Sequence, residues 1–127
     1  MEEKRAGFRL SDYIECRYTH KILRDQKESG AVILDISSSG IKMVGDEFVR
    51  PGKEVTIDID QPLGPLTVCG EVLSSKAEWY VTDRTKGMKF TTRIVFKNTP
   101  IAEKNKIIRY IYKCRAERRR ARFKDML

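Results

Sequence analysis

Asp35-Ile36-Ser37-Ser38-Ser39-Gly40-Ile41-Lys42-Met43, DISSSGIKM, joins an apolar run, Ala31 to Leu34, to a second apolar alternation that begins at Gly40. An acid and three serines stand on one turn, more hydrogen-bonding capacity than a turn requires. Read as local structure, the stretch is an Asx or Ser turn between two strands, with Gly40 supplying a backbone shape that other residues dislike.

Outward from that turn, short alternating segments dominate. Tyr13 to Thr19 alternates roughly with period two and is rich in strand formers. His20 to Gly30 is polar and charged and reads as a loop, ending at Ser29-Gly30. Arg50-Pro51-Gly52-Lys53 is a turn, and Val55 to Ile59 alternates clearly. Gln61-Pro62-Leu63-Gly64-Pro65 breaks the chain. Leu66 to Leu73 reads as the next strand, with Val68, Gly70 and Val72 on one side. Trp79 to Val81 and Lys86 to Thr92 read as two more. Short strands at this spacing point to an antiparallel barrel or sandwich.

After Thr99 the period changes. Pro100 suits the first helical position and Thr99 its cap. Ile101, Lys104, Ile107, Ile108, Ile111 and Tyr112 recur at three-and-four spacing, which predicts an amphipathic helix resting one apolar face on the barrel.

The chain has 127 residues, enough for one domain, and 40% of them are hydrophobic against 35% charged. No apolar run reaches the roughly 20 residues of a membrane-spanning helix. The start, MEEKRAGFRL, lacks the apolar core of a signal peptide, so a cytoplasmic location is expected. Cys16, Cys69 and Cys114 are odd in number and unpatterned; they read as buried small apolar residues rather than disulfide or zinc ligands. The formal net charge is +8. Ten Lys/Arg against three Asp/Glu lie between Glu103 and Leu127, so the helix carries +7 and the body +1. Such a tail suits an anionic partner.

Catalytic constellations are missing. The lone histidine, His20, reads as a solvated loop residue. No nucleophile elbow, phosphate loop, paired carboxylates or metal-ligand cluster is present, so no enzyme, cofactor or metal is expected.

A carboxylate accepts two hydrogen bonds from a planar donor pair, and the Watson–Crick edge of guanine presents one. The other edge of guanine offers O6 and N7 to an arginine fork. Asp35 with Ser37, and Arg5 with Arg9 four residues apart in KRAGFR, supply these groups. Taken singly, the arginines read as a solvated, mobile terminus.

Taken in order, R-x-x-x-R, a strand, and then D-x-S-x-x-G resemble the two ligand motifs of the PilZ domain family, matched here by Arg5 and Arg9, and by Asp35, Ser37 and Gly40. RPGKEVTIDI resembles the family's Pro-Gly turn and following strand, and GMKF, Gly87 to Phe90, its late strand. The likeness runs from about Lys4 to Arg115. It implies a mainly β fold, a small six-stranded antiparallel β-barrel with a C-terminal α-helix. Its parts are a flexible ligand-wrapping segment at 1–12, the barrel at 13–98 and the basic helix at 99–127.

The resemblance also implies a bacterial, non-enzymatic receptor for the second messenger cyclic di-GMP. Arg5 and Arg9 would contact guanine and phosphate, Asp35 would read a guanine edge, Ser37 would bond base or phosphate, and Gly40 would let the turn close. In this family a basic residue just before the first arginine often accompanies two stacked ligand molecules; with Lys4 there rather than arginine, one or two per chain both stay open. Output would pass to an unidentified protein partner in motility, biofilm, polysaccharide or secretion control. The alternative is a nucleic-acid or polyanion binder acting through Arg115, Arg118, Arg119, Arg120 and Arg122. No aromatic stacking platform accompanies these arginines, which disfavours nucleic acid.

Overall fold

The computed structural model describes residues 9–22, 25–81 and 86–126. Six strands, β1 (Arg9–Ile22), β2 (Asp25–Ser37), β3 (Gly40–Gly45), β4 (Glu54–Ile59), β5 (Leu66–Val81) and β6 (Lys86–Phe96), precede one helix, α1 (Ile101–Met126). Every strand pairing is antiparallel, and the order β1-β2-β3-β6-β5-β4 closes into a barrel through β1 against β4. Closure removes the exposed edges that an open sheet would leave.

Period-two patterning builds the wall. In β4, Val55, Ile57 and Ile59 are buried while Thr56 and Asp58 are not. Before it, the Lys53 amide donates to the Arg50 carbonyl at 3.1 Å, with Gly52 at φ +91°. That is a turn with Pro at its second position and the glycine its third position demands. The barrel interior is aliphatic: Ile14, Ile33, Ile36, Ile41, Met43, Ile57, Val68, Val72 and Ile94 are all buried.

The strands run longer than alternation suggests. The segment read as a loop from His20 to Gly30 is the tip of the β1–β2 hairpin, paired from Arg17↔Gly30 to Ile22↔Asp25. Residues 25–28 are exposed on both faces, so no burial pattern marked them as strand. At its other end β1 starts at Arg9, where Arg9, Leu10 and Ser11 pair with Ser37, Ile36 and Asp35. Residues 9–12 therefore belong to the sheet and not to a segment preceding it. The two strands read at Leu66–Leu73 and Trp79–Val81 are the single strand β5. Its register against β6 shifts between Val72 and Ser74, and such a bulge breaks the alternation in the sequence.

The helix stops one end of the barrel, with Ile107 and Ile111 fully buried in the core. Its start is tied to the turn between β4 and β5. The Glu103 carboxylate accepts from the Thr67 amide at 3.2 Å, and the Lys106 ammonium donates to the Pro65 carbonyl at 2.8 Å. The expected Thr99 cap does not form: the Lys104 amide bonds the Pro100 carbonyl at 3.0 Å, which puts Pro100 itself at the cap position. The Thr99 hydroxyl is buried without a hydrogen-bond partner. The expected single apolar face is also corrected, because Ile101 and Tyr112 are exposed while Ile107 and Ile111 are not. Of the cysteines, Cys16 is buried, Cys114 half-buried and Cys69 exposed.

Candidate functional site

The turn between β2 and β3 brings the sequence motif together. The Ser37 hydroxyl accepts from the amides of Ser39 and Gly40, both at 3.2 Å, and lies 3.1 Å from the Ser39 hydroxyl. One serine thus closes the turn that follows it. The Phe96 amide donates to the Ser39 carbonyl at 2.8 Å, fixing the turn to the end of β6.

Gly40 is required, but for a different reason than backbone shape. Among the described residues the glycines at positive φ are Gly52, Gly64 and Gly87, and Gly40 is not one of them. A Cβ at Gly40 would instead stand 2.3 Å from the Ile94 carbonyl oxygen. Only a residue without a side chain lets β3 begin this close to β6.

Asp35 and Ser37 stand two residues apart on β2, so they share a face, and buried Ile36 between them marks it as the outer face. The Asp35 side chain is 14% exposed, with its carboxylate 3.5 Å from the ammonium of Lys42, its register partner on β3. Lys42 in turn sits opposite exposed Arg93 on β6. Acid, lysine and arginine therefore form a row across three adjacent strands. Lys42 and Arg93 were missed in the sequence, because only the register places them beside Asp35. Lys42 alone carried a signal, as the outward residue two places after Gly40.

On the other side of β2, Arg9 is the register partner of Ser37, and Ser11 that of Asp35. Arg9, 26 residues before Asp35 in sequence, thus meets the D-x-S-x-x-G motif at one cross-strand position. Lys4 and Arg5 lie outside the described residues.

A second carboxylate cluster lies at the far end of the barrel. Glu47 accepts from the Tyr18 and Ser29 hydroxyls, both at 2.7 Å, and from the Lys27 ammonium. The Lys27 bond, with the two hydroxyls, holds its carboxyl down at about 2. Burial, then the bond to Glu47, pushes the Tyr18 hydroxyl well above the usual tyrosine range. His20 is 7% exposed, stacks on Tyr18 at 5.4 Å between ring centroids and lies 3.5 Å from Glu47. It is therefore not the solvated loop residue expected from its polar neighbours. Among the described residues, no group of His, Cys, Asp and Glu is arranged to hold a metal ion, and no helix is long and apolar enough to cross a membrane.

Comparison with known proteins agrees with this architecture. The structure of the PilZ domain with c-di-GMP of YcgR from Escherichia coli superposes with a TM-score of 0.73 at 16% identity, covering 96% of this chain and 99% of that one. The K. pneumonia MrkH–c-di-GMP complex gives 0.71 at 13% identity, covering 95% of this chain and 55% of that one. The Bacillus subtilis inhibitor of motility, MotI/DgrA, gives 0.67 at 12% identity, covering 91% and 53%. The chain thus spans about half the length of the latter two. At these identities the likeness is one of fold. No curated protein matches by sequence. The family model described as the PilZ domain matches residues 3–113, most of the chain, and the chain belongs to the PilZ domain family.

Proposed function

We propose that this protein is a non-enzymatic receptor for cyclic di-GMP that passes messenger binding on to a partner protein. The observation that carries the reading is the cross-strand register, which sets Arg9 opposite Ser37 and leaves Asp35 and Lys42 beside them. Membership of the PilZ family and the messenger-bound structures of similar fold support the same ligand.

In this reading each group has a task. Asp35 accepts the N1 and N2 hydrogens of one guanine, a bidentate contact that charge strengthens. Arg5 and Arg9 take the O6/N7 edge and a phosphate. Ser37 fixes the turn backbone and bonds base or phosphate, and Gly40 permits the close approach of β3 to β6. Lys42 and Arg93 add positive charge toward a ligand carrying two phosphates. Lys4, just before Arg5, governs whether one ligand molecule binds or two.

Binding would order the residues preceding β1 against the barrel, and the ordering cost is offset by these charge-assisted contacts. A bidentate guanine contact is worth about 1–3 kcal/mol. Calorimetric titration of cyclic di-GMP into the wild type and into Arg5→Ala and Arg9→Ala tests the reading. Binding that falls by about tenfold or more in each variant, with thermal unfolding unchanged, is expected. Absence of binding by the folded wild type refutes it. Comparing the wild-type stoichiometry with that of Lys4→Ala tests the role given to Lys4.

A further inference from the structure

Helix α1 carries two apolar stripes, and the barrel uses one. Ile107 and Ile111 are buried in the core. Ile101, Tyr112, Phe123 and Met126 remain 75%, 53%, 63% and 81% exposed, and Ile108 is half-buried. At 100° per residue these five fall within an arc of about 60°, roughly 100° round the helix from the buried pair. Scattered exposed apolar residues need no explanation, but five aligned over about 38 Å of helix do.

Charge around this stripe is one-sided. Lys104, Arg109, Arg115, Arg119, Arg120 and Arg122 lie within about 100° of its centre, while Glu103, Glu117 and Asp125 all lie about 120° or more away, toward the barrel side. We propose that the outer stripe of α1 docks an acidic amphipathic helix of a partner protein, its apolar seam on Ile101, Ile108, Tyr112, Phe123 and Met126 and its carboxylates on the flanking cations.

Other occupants fit less well. A second copy would set one acid-free cationic face against another, which electrostatics opposes. A membrane surface calls for a broad apolar face, whereas an arc this narrow is that of a helix–helix seam. Arg119 stands in the middle of the stripe. A cation there is matched by one carboxylate of a facing helix, as a polar seam residue sets register in coiled coils. Duplex nucleic acid would use the cations alone and leave the apolar stripe in water. The stripe is read from the helix by itself and stands whether or not the barrel binds the messenger.

The test uses the full chain without messenger. The probe is a fluorescent synthetic peptide about four heptads long, with leucine at its seam and glutamate on its flanks. A scrambled peptide of the same composition, phosphatidylglycerol vesicles and a short duplex DNA serve as competitors of equal charge type. The periodic peptide is expected to bind, and the double variant Ile101→Ser with Phe123→Ser to weaken it at least about tenfold without lowering the thermal midpoint. Messenger titration of the double variant should match the wild type, which separates this surface from the barrel site. The proposal is overturned if the periodic peptide fails to bind or the scrambled one binds equally. It is also overturned if vesicles or DNA show the Ile101/Phe123 dependence instead, or if sedimentation reveals self-association lost in the double variant.

Discussion

Two carboxylates at opposite ends of one barrel show how differently a sheet can use an acid. Glu47 is enclosed by its own chain: two hydroxyls at 2.7 Å and a lysine saturate it, and its carboxyl is held at about 2. Asp35 faces Lys42 at 3.5 Å, an ion pair beyond good hydrogen-bond length. Its neighbours across the strands are Lys42, Ser11 and, beyond Lys42, Arg93. Burial is similar, at 22% and 14% side-chain exposure, so solvent access does not separate them. The kind of partner does. Hydroxyl and lysine bonds make Glu47 a fastener of the β1–β2 hairpin to the loop after β3, whereas Asp35 stands in a charged row with Lys42 and Arg93 beside the turn.

This contrast can be broken by substitution. The largest expected effect is on the turn itself. Gly40→Ala places a methyl 2.3 Å from a backbone oxygen, so β3 or β6 must shift. A loss of about 1–3 kcal/mol in chemical denaturation, together with weakened messenger binding, is expected. Retained stability would show that the turn adjusts at little cost.

Glu47→Ala is the complementary experiment. It strands the Tyr18 and Ser29 hydroxyls, and a loss of about 1–3 kcal/mol is expected with messenger affinity unchanged. A change in affinity larger than the change in stability would contradict the division between the two ends. The pH dependence follows from the same group. Its folded pKa is depressed, so the stabilisation is present above the unfolded value near 4.5 and is lost as pH falls toward about 2. Acid unfolding curves of the wild type and Glu47→Gln should therefore be furthest apart above about pH 5 and converge only as pH approaches about 2.

The smallest effect is on chemistry without function. Cys69 is exposed, so a thiol reagent should label it in the native protein. Cys16, buried and with its thiol pushed up to about 12 by burial, should react only on unfolding. Equal labelling rates would place Cys16 at a more open position than the core it occupies.

How far the sequence anticipates this molecule depends on how local each cause is. The turn at Arg50–Lys53 and strand β4 are set by neighbouring residues, and both were legible. The β1–β2 hairpin tip was not, because Asp25 to Glu28 are exposed on both faces and become strand only through pairing with Lys21 to Thr19 and Ile22. Likewise β5 looked like two strands because its bulge resets the alternation at Leu73. In α1 the helix was legible, while the choice of Ile107 and Ile111 over Ile101 and Tyr112 depends on where the barrel end meets it. The motif residues Asp35, Ser37 and Gly40 were legible as a set. The reason for Gly40, and the neighbours Lys42 and Arg93, were not, since the strand register supplies them from elsewhere in the chain.

The central claim is that the Asp35 end of the barrel reads guanine. Guanine offers Asp35 two donors on its Watson–Crick edge, whereas adenine places an acceptor at N1 and lacks the N2 amine. The direct measurement is parallel calorimetric titration of cyclic di-GMP and cyclic di-AMP into the wild type and Asp35→Asn. The account predicts that the wild type prefers the guanine ligand by about tenfold to a hundredfold, and that Asp35→Asn, still folded, loses most of that preference. Equal affinity of the wild type for both ligands, or a preference that survives in Asp35→Asn, would contradict it.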